Sequence, residues 1–414
     1  MPRPDPILDA VASCPTVEAL ATGLPTSGTV AQVGGVIGSL GPLVLAALHR
    51  ANRERVFVAL APTPLDAITA EADLETVLGG GCASHLYPQK EALPYEESEP
   101  HLEIGGLRVE AVQALFSGRT QILVTTPRAL QERVPIPERL AELRRTFRAG
   151  DQVVFSELPG YLEAQGFEKV ALVEAVGQFA VRGGILDIFS VAAGDPVRIE
   201  FWGDEIESIR SFDILDQRST GELAETHVLP VDFRRNEENS ERTVARSLLE
   251  LLPSDAIIAR LGAWEIPEDV RRTWTRVSTL YEELVHSGAT PLPPSSLFLE
   301  PEEFTQRMAR FPRLELDEAP GPGASLPAKV PPAIDRDMAK LEAYLREGST
   351  TGHDTLLLCD NDGQLQSTIA DMAIQRTNIQ PRQTESLAFS INLDSRTAVR
   401  NGAPNSATEP FDVN

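Results

Sequence analysis

The sequence predicts an α/β protein: a mainly parallel, helix-covered sheet domain followed by a second, mainly antiparallel α+β region. Two observations carry this. From Val30 to about Arg133, β-prone apolar runs alternate with segments of helical spacing, the rhythm of a parallel sheet covered by helices. From Phe167 to Arg218, short Val-, Ile- and Phe-rich runs follow one another with only turns between them, as in paired antiparallel strands.

In the first domain, Thr29–Ile37 reads as a strand, Leu43–Arg50 as a short helix and Arg55–Leu60 as the next strand. Thr63–Leu78 has apolar residues at helical spacing (Leu65, Ile68, Ala72, Leu74, Leu78), and Gly79–Gly81 ends it. Ser84–Tyr87 is strand-like, Gly106–Phe116 helical and Gln121–Thr125 a buried strand. The loop Gly34-Gly-Val-Ile-Gly-Ser-Leu-Gly-Pro42 follows the first strand and opens a helix, where a nucleotide-binding phosphate loop belongs.

Ile136–Phe147 reads as an amphipathic stretch of mixed charge, and Leu158–Gly166 as a helix or turn. The strand runs expected next are Val170–Val176, Ile185–Phe189 and Val197–Trp202, broken by Gly183–Gly184, Ala193–Pro196 and Gly203–Asp204. Within Pro196–Phe212 the alternation puts Val197, Ile199 and Phe201 on one side and Arg198 and Glu200 on the other, so one sheet face is buried and one wet. Arg198 and Arg210 are expected to form cross-strand pairs with carboxylates. Arg182, beside Phe179 and a Gly pair, has two readings: a structural pair with Asp187 or Glu174, or an exposed Arg–aromatic patch that docks a partner.

Beyond the polar break Asn236–Asn239, Glu241–Leu252 is expected to be helical, Ala256–Ala259 a strand and Pro267–Val285 a helix. Trp264 and Trp274 are assigned to packing. Glu315–Pro332, with its GPGPGASLP segment, reads as a linker, Ala333–Arg346 as a helix and Asp354–Gly363 as a strand opening a further domain. The polar end has no periodicity and is expected to be disordered.

The formal net charge of −24 over 414 residues argues against strong binding of a phosphate backbone. Cys14, Cys82 and Cys359 are far apart, and the six histidines show no HxxxH or HExxH spacing, so neither a disulfide framework nor a metal site is expected. No apolar run reaches the roughly 18 residues of a membrane span, and a cytoplasmic protein is expected.

Gly177-Gln-Phe-Ala-Val-Arg-Gly-Gly-Ile-Leu-Asp-Ile-Phe189, Pro196–Phe201, Gly203–Arg210 and Gln217–Ser219 together resemble the module shared by the excision-repair protein UvrB and the amino-terminal part of the transcription-repair coupling factors (Mfd). The resemblance covers roughly residues 15–365. It implies a degenerate RecA/UvrB-like sheet domain at 1–147, an inserted UvrA-binding domain at 148–235 and the completing half of the first domain at 236–314. A linker and helix at 315–350 and a truncated start of the next domain with its tail at 351–414 would follow. It also implies a UvrA contact centred on Arg182 and Phe179, with Phe167, Glu168 and Lys169; related proteins place an Arg where this chain has Glu168.

In the UvrB pattern the phosphate loop would comprise Gly35, Gly38, Ser39, Gly41 and Pro42. Gly41 then stands in the Lys position and Pro42 in the hydroxyl position, and a loop lacking both is not expected to hydrolyse ATP. Tyr87–Pro100 looks like the shorter coupling-factor version of the damage-probing hairpin of UvrB. The motor domains of the family, which use ATP and magnesium, and its RNA polymerase and duplex DNA contacts lie outside this sequence; GxxxxGK[ST] does not occur in it. The resemblance thus implies a non-catalytic module that recruits UvrA in transcription-coupled nucleotide excision repair. A UvrB-type ATP-dependent damaged-DNA-binding or helicase protein is the alternative.

Overall fold

Seven parallel strands form the spine of the larger of two compact units, residues 1–329; the second is 330–414. The computed structural model describes residues 6–79, 84–96, 101–136, 143–233, 245–321, 323–330, 332–334, 337–350, 355–359, 379–382 and 387–391. The Asn236–Asn239 break and the polar end fall outside these.

Helices α1 (Pro6–Ala12) and α2 (Pro15–Thr22) precede β1 (Val30–Gly34), α3 (Leu40–Ala51), β2 (Phe57–Leu60), α4 (Pro64–Leu78) and β3 (Ser84–Tyr87). Then come α5 (Leu102–Phe116), β4 (Ile122–Thr125), α6 (Pro127–Gln131) and the short β5 (Arg133–Pro135). The chain returns much later through β15, β16 and β17, described below. Local chemistry sets these boundaries. The Thr63 hydroxyl accepts the Asp66 N–H to start α4, Pro64 occupies its first turn, and Gly79, at φ 73°, ends it.

Alternate residues of the buried strands serve opposite faces. Val58, Leu60 and Leu123 pack with Val109 and Val112 of α5 and Leu130 of α6. Phe57, Ala59, Ile122 and Val124 pack with Leu45 and Leu48 of α3 and Leu74 of α4. Each such side chain contributes roughly 1.5–3 kcal/mol by leaving water.

The inserted domain begins with β6 (Arg145–Arg148), where an amphipathic stretch had been expected, and continues through α7 (Leu158–Ala164). Its sheet is built from β7 (Glu168–Lys169), β8 (Gln178–Arg182), β9 (Ile185–Ile188), β10 (Val197–Trp202), β11 (Glu205–Phe212) and β12 (Ser219–Glu222). They lie in the order β12–β11–β10–β9–β8–β7, all neighbours antiparallel except β7 and β8. Strand β13 (Glu225–Val228) closes the domain by pairing with β6. The expected strand Val170–Val176 is instead a loop crossing the sheet: Val173 is buried against Ala180 and Phe212. The Gln178 side chain holds the turn by accepting the N–H groups of Glu174 and Ala175.

The expected helix over Glu241–Leu252 is absent from the described part, 245–252. Strand β14 (Ala245–Ser247) pairs with β5, and a single 3-10 turn capped reciprocally by Ser247 and Glu250 follows. Leu248, Leu249 and Leu252 are buried at a spacing that imitates a helix, but Pro253 allows only one turn.

Next come β15 (Ile257–Leu261), α8 (Ile266–His286), α9 (Pro294–Leu297), α10 (Pro301–Met308), β16 (Arg313–Leu316) and β17 (Ala324–Ser325). The parallel order is β17–β1–β16–β15–β2–β4–β3, so the expected linker over Glu315–Pro332 actually contains the end of a central strand and an edge strand. The smaller unit contains α11 (Met338–Thr350), β18 (Thr355–Cys359), β19 (Ile379–Arg382) and β20 (Leu387–Ile391), with β20 between the other two and antiparallel to both.

Candidate docking surface

The inserted sheet has one apolar and one polar face. Phe179 of β8, Leu186 and Ile188 of β9, Val197, Ile199 and Phe201 of β10 and Ile206 and Ile209 of β11 join Phe147, Leu158, Leu162 and Phe167 in a core. The intervening positions lie on the other face, which carries Asp187, Arg198 and Glu200 and, where the 170–176 loop crosses it, the small apolar cluster of Val173, Ala180 and Phe212.

Asp187 organises that face. Its carboxylate is only 2% exposed and directly faces Arg198 across the β9–β10 ladder. Arg198 donates to it through Nε (2.7 Å) and Nη2 (2.9 Å), while its guanidinium lies 5.0 Å from the Phe212 ring centroid. The hydrogen bonds to Asp187 push the Arg198 guanidinium further above its ordinary range. Arg182 donates to the same carboxylate at 3.3 Å but remains 51% exposed. Arg210, half exposed, pairs with Glu200 at 3.6 Å. The structural reading of Arg182 is thus met by its pair with Asp187, and its guanidinium still reaches solvent.

Two expected contact residues must be corrected. Phe179 is fully buried on the core phase of β8, and Phe167, just before β7, is nearly buried in the same cluster. Neither ring is available to a partner. Glu168 and Lys169 are exposed on the edge strand β7, where Glu168 accepts a hydrogen bond from Gln178. Lys169 lies opposite Phe179, three residues before Arg182 on β8, or about 10 Å along the strand.

The aromatic of this surface is Trp202, which sequence reasoning passed over. It continues the outward series Arg198, Glu200, Trp202 on β10 and is 80% exposed. The Gly183–Gly184 turn after Arg182 sits at the same end of the sheet: a Cβ on Gly184 would lie 2.8 Å from the Phe201 carbonyl oxygen. The signal available was phase, since Trp202 stands out of step with Val197, Ile199 and Phe201. Arg182, Arg198 and Trp202 share the outward face of this sheet, and Arg and Trp are residue types enriched at interface hot spots.

The second candidate site is the loop between β1 and α3. Gly35 and Gly38 adopt φ of 70° and 56°, and Ser39 occupies the cap position of α3 without a side-chain capping bond. Gly41 and Pro42 are buried in the first turn of α3, and a Cβ on Gly41 would meet Leu261 at 3.2 Å. The neighbouring Arg260 is bound to Asp317 (2.9 Å) and Glu315 (3.3 Å), so its charge is already matched. These residues do not fit a magnesium–nucleotide: the ammonium and hydroxyl positions hold Gly and Pro, and the nearby guanidinium is spoken for.

Tyr87 and Tyr95 are also committed. Tyr87 is buried, accepts a bond from Arg108 at 2.8 Å, and burial pushes its hydroxyl up to about 12. Tyr95 donates to the Leu292 carbonyl at 2.6 Å and packs on Tyr281. Neither offers a stacking platform for a base. Among the described residues, no group of three or more His, Cys, Asp or Glu could hold a metal ion, and no helix is long and apolar enough to cross a membrane.

Residues 146–233, which hold this sheet, match the family model described as the UvrB interaction domain. The chain is similar over about half to three quarters of its length to proteins named transcription-repair-coupling factor. The one from Myxococcus xanthus is 32% identical over 365 residues, covering 74% of this chain and 30% of the relative. That from Mycobacterium bovis is 34% identical over 226 residues (53% and 16%), and that from Haemophilus influenzae 26% over 269 residues (55% and 24%). The resemblance expected from the motifs is therefore found. This chain spans less than a third of the length of each of these relatives.

Proposed function

We propose that this chain is a non-catalytic docking module of a transcription-repair coupling factor, acting in the cytoplasm to recruit UvrA for transcription-coupled nucleotide excision repair. The observation that carries the proposal is the outward face of the inserted sheet. There Arg182 and Trp202 are exposed while Arg198 and Asp187 fix the arginine geometry, all within the segment matched by the interaction-domain family. Glu168 and Lys169 would form a secondary, edge contact. Nucleotide has no role within the described chain, a reading supported by Gly41 and Pro42. ATP, magnesium, RNA polymerase and duplex DNA are assigned to parts of the family outside this sequence.

The test is a calorimetric titration of the chain with UvrA, alongside Arg182→Ala and Trp202→Ala variants whose melting is checked first. Binding at micromolar affinity or tighter is expected, with each variant weakened by about tenfold or more, as for hot-spot residues. Absence of binding by the intact chain, or equal binding by both folded variants, would overturn the proposal.

A further inference from the structure

Between β11 and β12 the chain makes a closed turn, Asp213 to Arg218, at the polar face of the inserted sheet. The Asp213 N–H donates to the Arg218 carbonyl at 2.9 Å, and the Gln217 N–H to the Asp213 carbonyl at 2.8 Å. The Asp213 carboxylate accepts the Leu215 N–H at 2.7 Å, and the Asp216 carboxylate accepts the Arg218 N–H at 2.9 Å.

Gln217 fastens this turn to the face. Its carbonyl accepts Nη1 of Arg198 at 3.4 Å, and its side-chain amide donates to the Ile214 carbonyl at 2.9 Å and to the Val173 carbonyl at 3.3 Å. Val173 belongs to the loop that crosses the same face, buried against Ala180 and Phe212. One side chain thus staples the turn, the crossing loop and Arg198 together. The staple is held against local cost. Gln217 sits at φ 62°, a conformation that disfavours a side chain, and its Oε1 is buried with no hydrogen-bond partner among the described residues.

The two stapled segments each present a leucine to water. Leu215, at the tip of the turn, is 91% exposed, more than Trp202, and Leu172, next to Val173, is 37% exposed. Single apolar side chains on a surface are ordinary. Here two of them stand on segments joined by one strained residue, and such strain collects at binding elements fixed in advance. The carboxylates of the turn are already engaged with its own backbone, so what it offers outward is apolar.

We propose that Leu215 and Leu172 form a second, apolar contact of the docking face, entering an apolar pocket on the same UvrA surface that covers Arg182. The inference rests on the docking reading above. Arg198 supplies the continuity: it is bound to Asp187, the partner of Arg182, on one side and to the Gln217 carbonyl on the other.

The test is a calorimetric titration of the full chain with UvrA at several temperatures, comparing the parent with Leu215→Ser, Leu215→Met and Arg182→Ala. Leu215 makes so little contact within the chain that Leu215→Ser should melt like the parent. It should bind about tenfold more weakly and with a less negative heat-capacity change, as apolar burial requires. Leu215→Met, which keeps volume and apolarity, should bind within about twofold of the parent. Parent-like affinity in Leu215→Ser while Arg182→Ala is weakened would overturn this proposal and leave the docking reading standing. Absence of binding by the intact chain would overturn both. Self-association of the parent that Leu215→Ser abolishes in sedimentation would assign the leucines to a second copy of the chain, and would overturn it too.

Discussion

Replacing Asp187 by Asn keeps the shape of the side chain and removes the charge on which the outward arginines converge. Arg198 would lose a two-pronged carboxylate contact at 2.7 and 2.9 Å, and Arg182 its 3.3 Å partner. Breaking a fully buried pair costs about 3–5 kcal/mol. Here Arg198 keeps 19% and Arg182 51% exposure, so water compensates part of the loss. The figure appropriate to charge-assisted hydrogen bonds then applies, about 2 kcal/mol. At about 2–4 °C per kcal/mol, Asp187→Asn should melt roughly 4–8 °C below the parent. Arg182→Ala is the internal control: a half-exposed pair is worth about 0–1 kcal/mol, so its melting should move far less. Thermal unfolding by circular dichroism, repeated as urea titrations, measures both. A loss in Arg182→Ala equal to that in Asp187→Asn, or an Asp187→Asn melting point within about 1 °C of the parent on that scale, would show that Asp187 does not organise this face.

Two further outcomes are expected. Glu132→Gln leaves the buried Arg108 guanidinium, now paired at 2.5 Å, without its carboxylate and should cost about 3–5 kcal/mol in a urea titration; a loss below about 1 kcal/mol would refute the buried-pair account. Glu71 is held protonated up to about 7, from an ordinary 4.5, by burial first and then by Glu75 and Glu110. The folded chain therefore binds a proton there that the unfolded chain has released, and this group's contribution makes stability fall as pH rises between those values. Glu71→Gln should accordingly raise the melting point at pH 8 and leave it nearly unchanged at pH 4; equal gains at both pH values would contradict the assignment.

The sheet domain was legible where periodicity and breakers agreed. Ser84–Tyr87, Thr63–Leu78 with its Gly stop, and Pro267–Val285 were read within a residue or two of β3, α4 and α8. Failures arose where tertiary packing redirected an ordinary pattern. Val170–Val176 has strand composition but crosses a sheet face, and the Leu-rich 248–252 stretch has helical spacing over a single turn. The Gly/Pro-rich segment after Leu316 looked like a tether because its partners, Gly34 and Gly35, lie nearly three hundred residues earlier. At the candidate docking face Arg182 was conspicuous as a guanidinium in an apolar run. Phe179 was misjudged because adjacency in sequence was read as adjacency on a surface, although neighbouring strand residues point to opposite faces. Strand phase, applied strictly, would have placed Phe179 in the core and Trp202 on the exposed face.

The inserted domain is no loosely hinged appendage. Helix α5 meets it at three places that tolerate little change: Gly177 against Leu102, Gly106 against Val191, and Gly105, where a Cβ would fall 2.1 Å from the Val231 carbonyl oxygen. Two of the α5 contacts are glycines in the middle of a helix, a position where glycine costs about 1 kcal/mol relative to alanine. Close approach of the two domains accounts for glycine at these positions. The outward arginines are consequently fixed at two levels, by Asp187 within the sheet and by α5 beneath the domain. A surface held in this way loses little further freedom when covered, which is how a small patch can bind firmly. Charge alone could not supply that in a chain of net −24 whose exposed arginines are largely matched by carboxylates. A preorganised Arg198–Asp187 pair beside the exposed Arg182 is the property this fold provides.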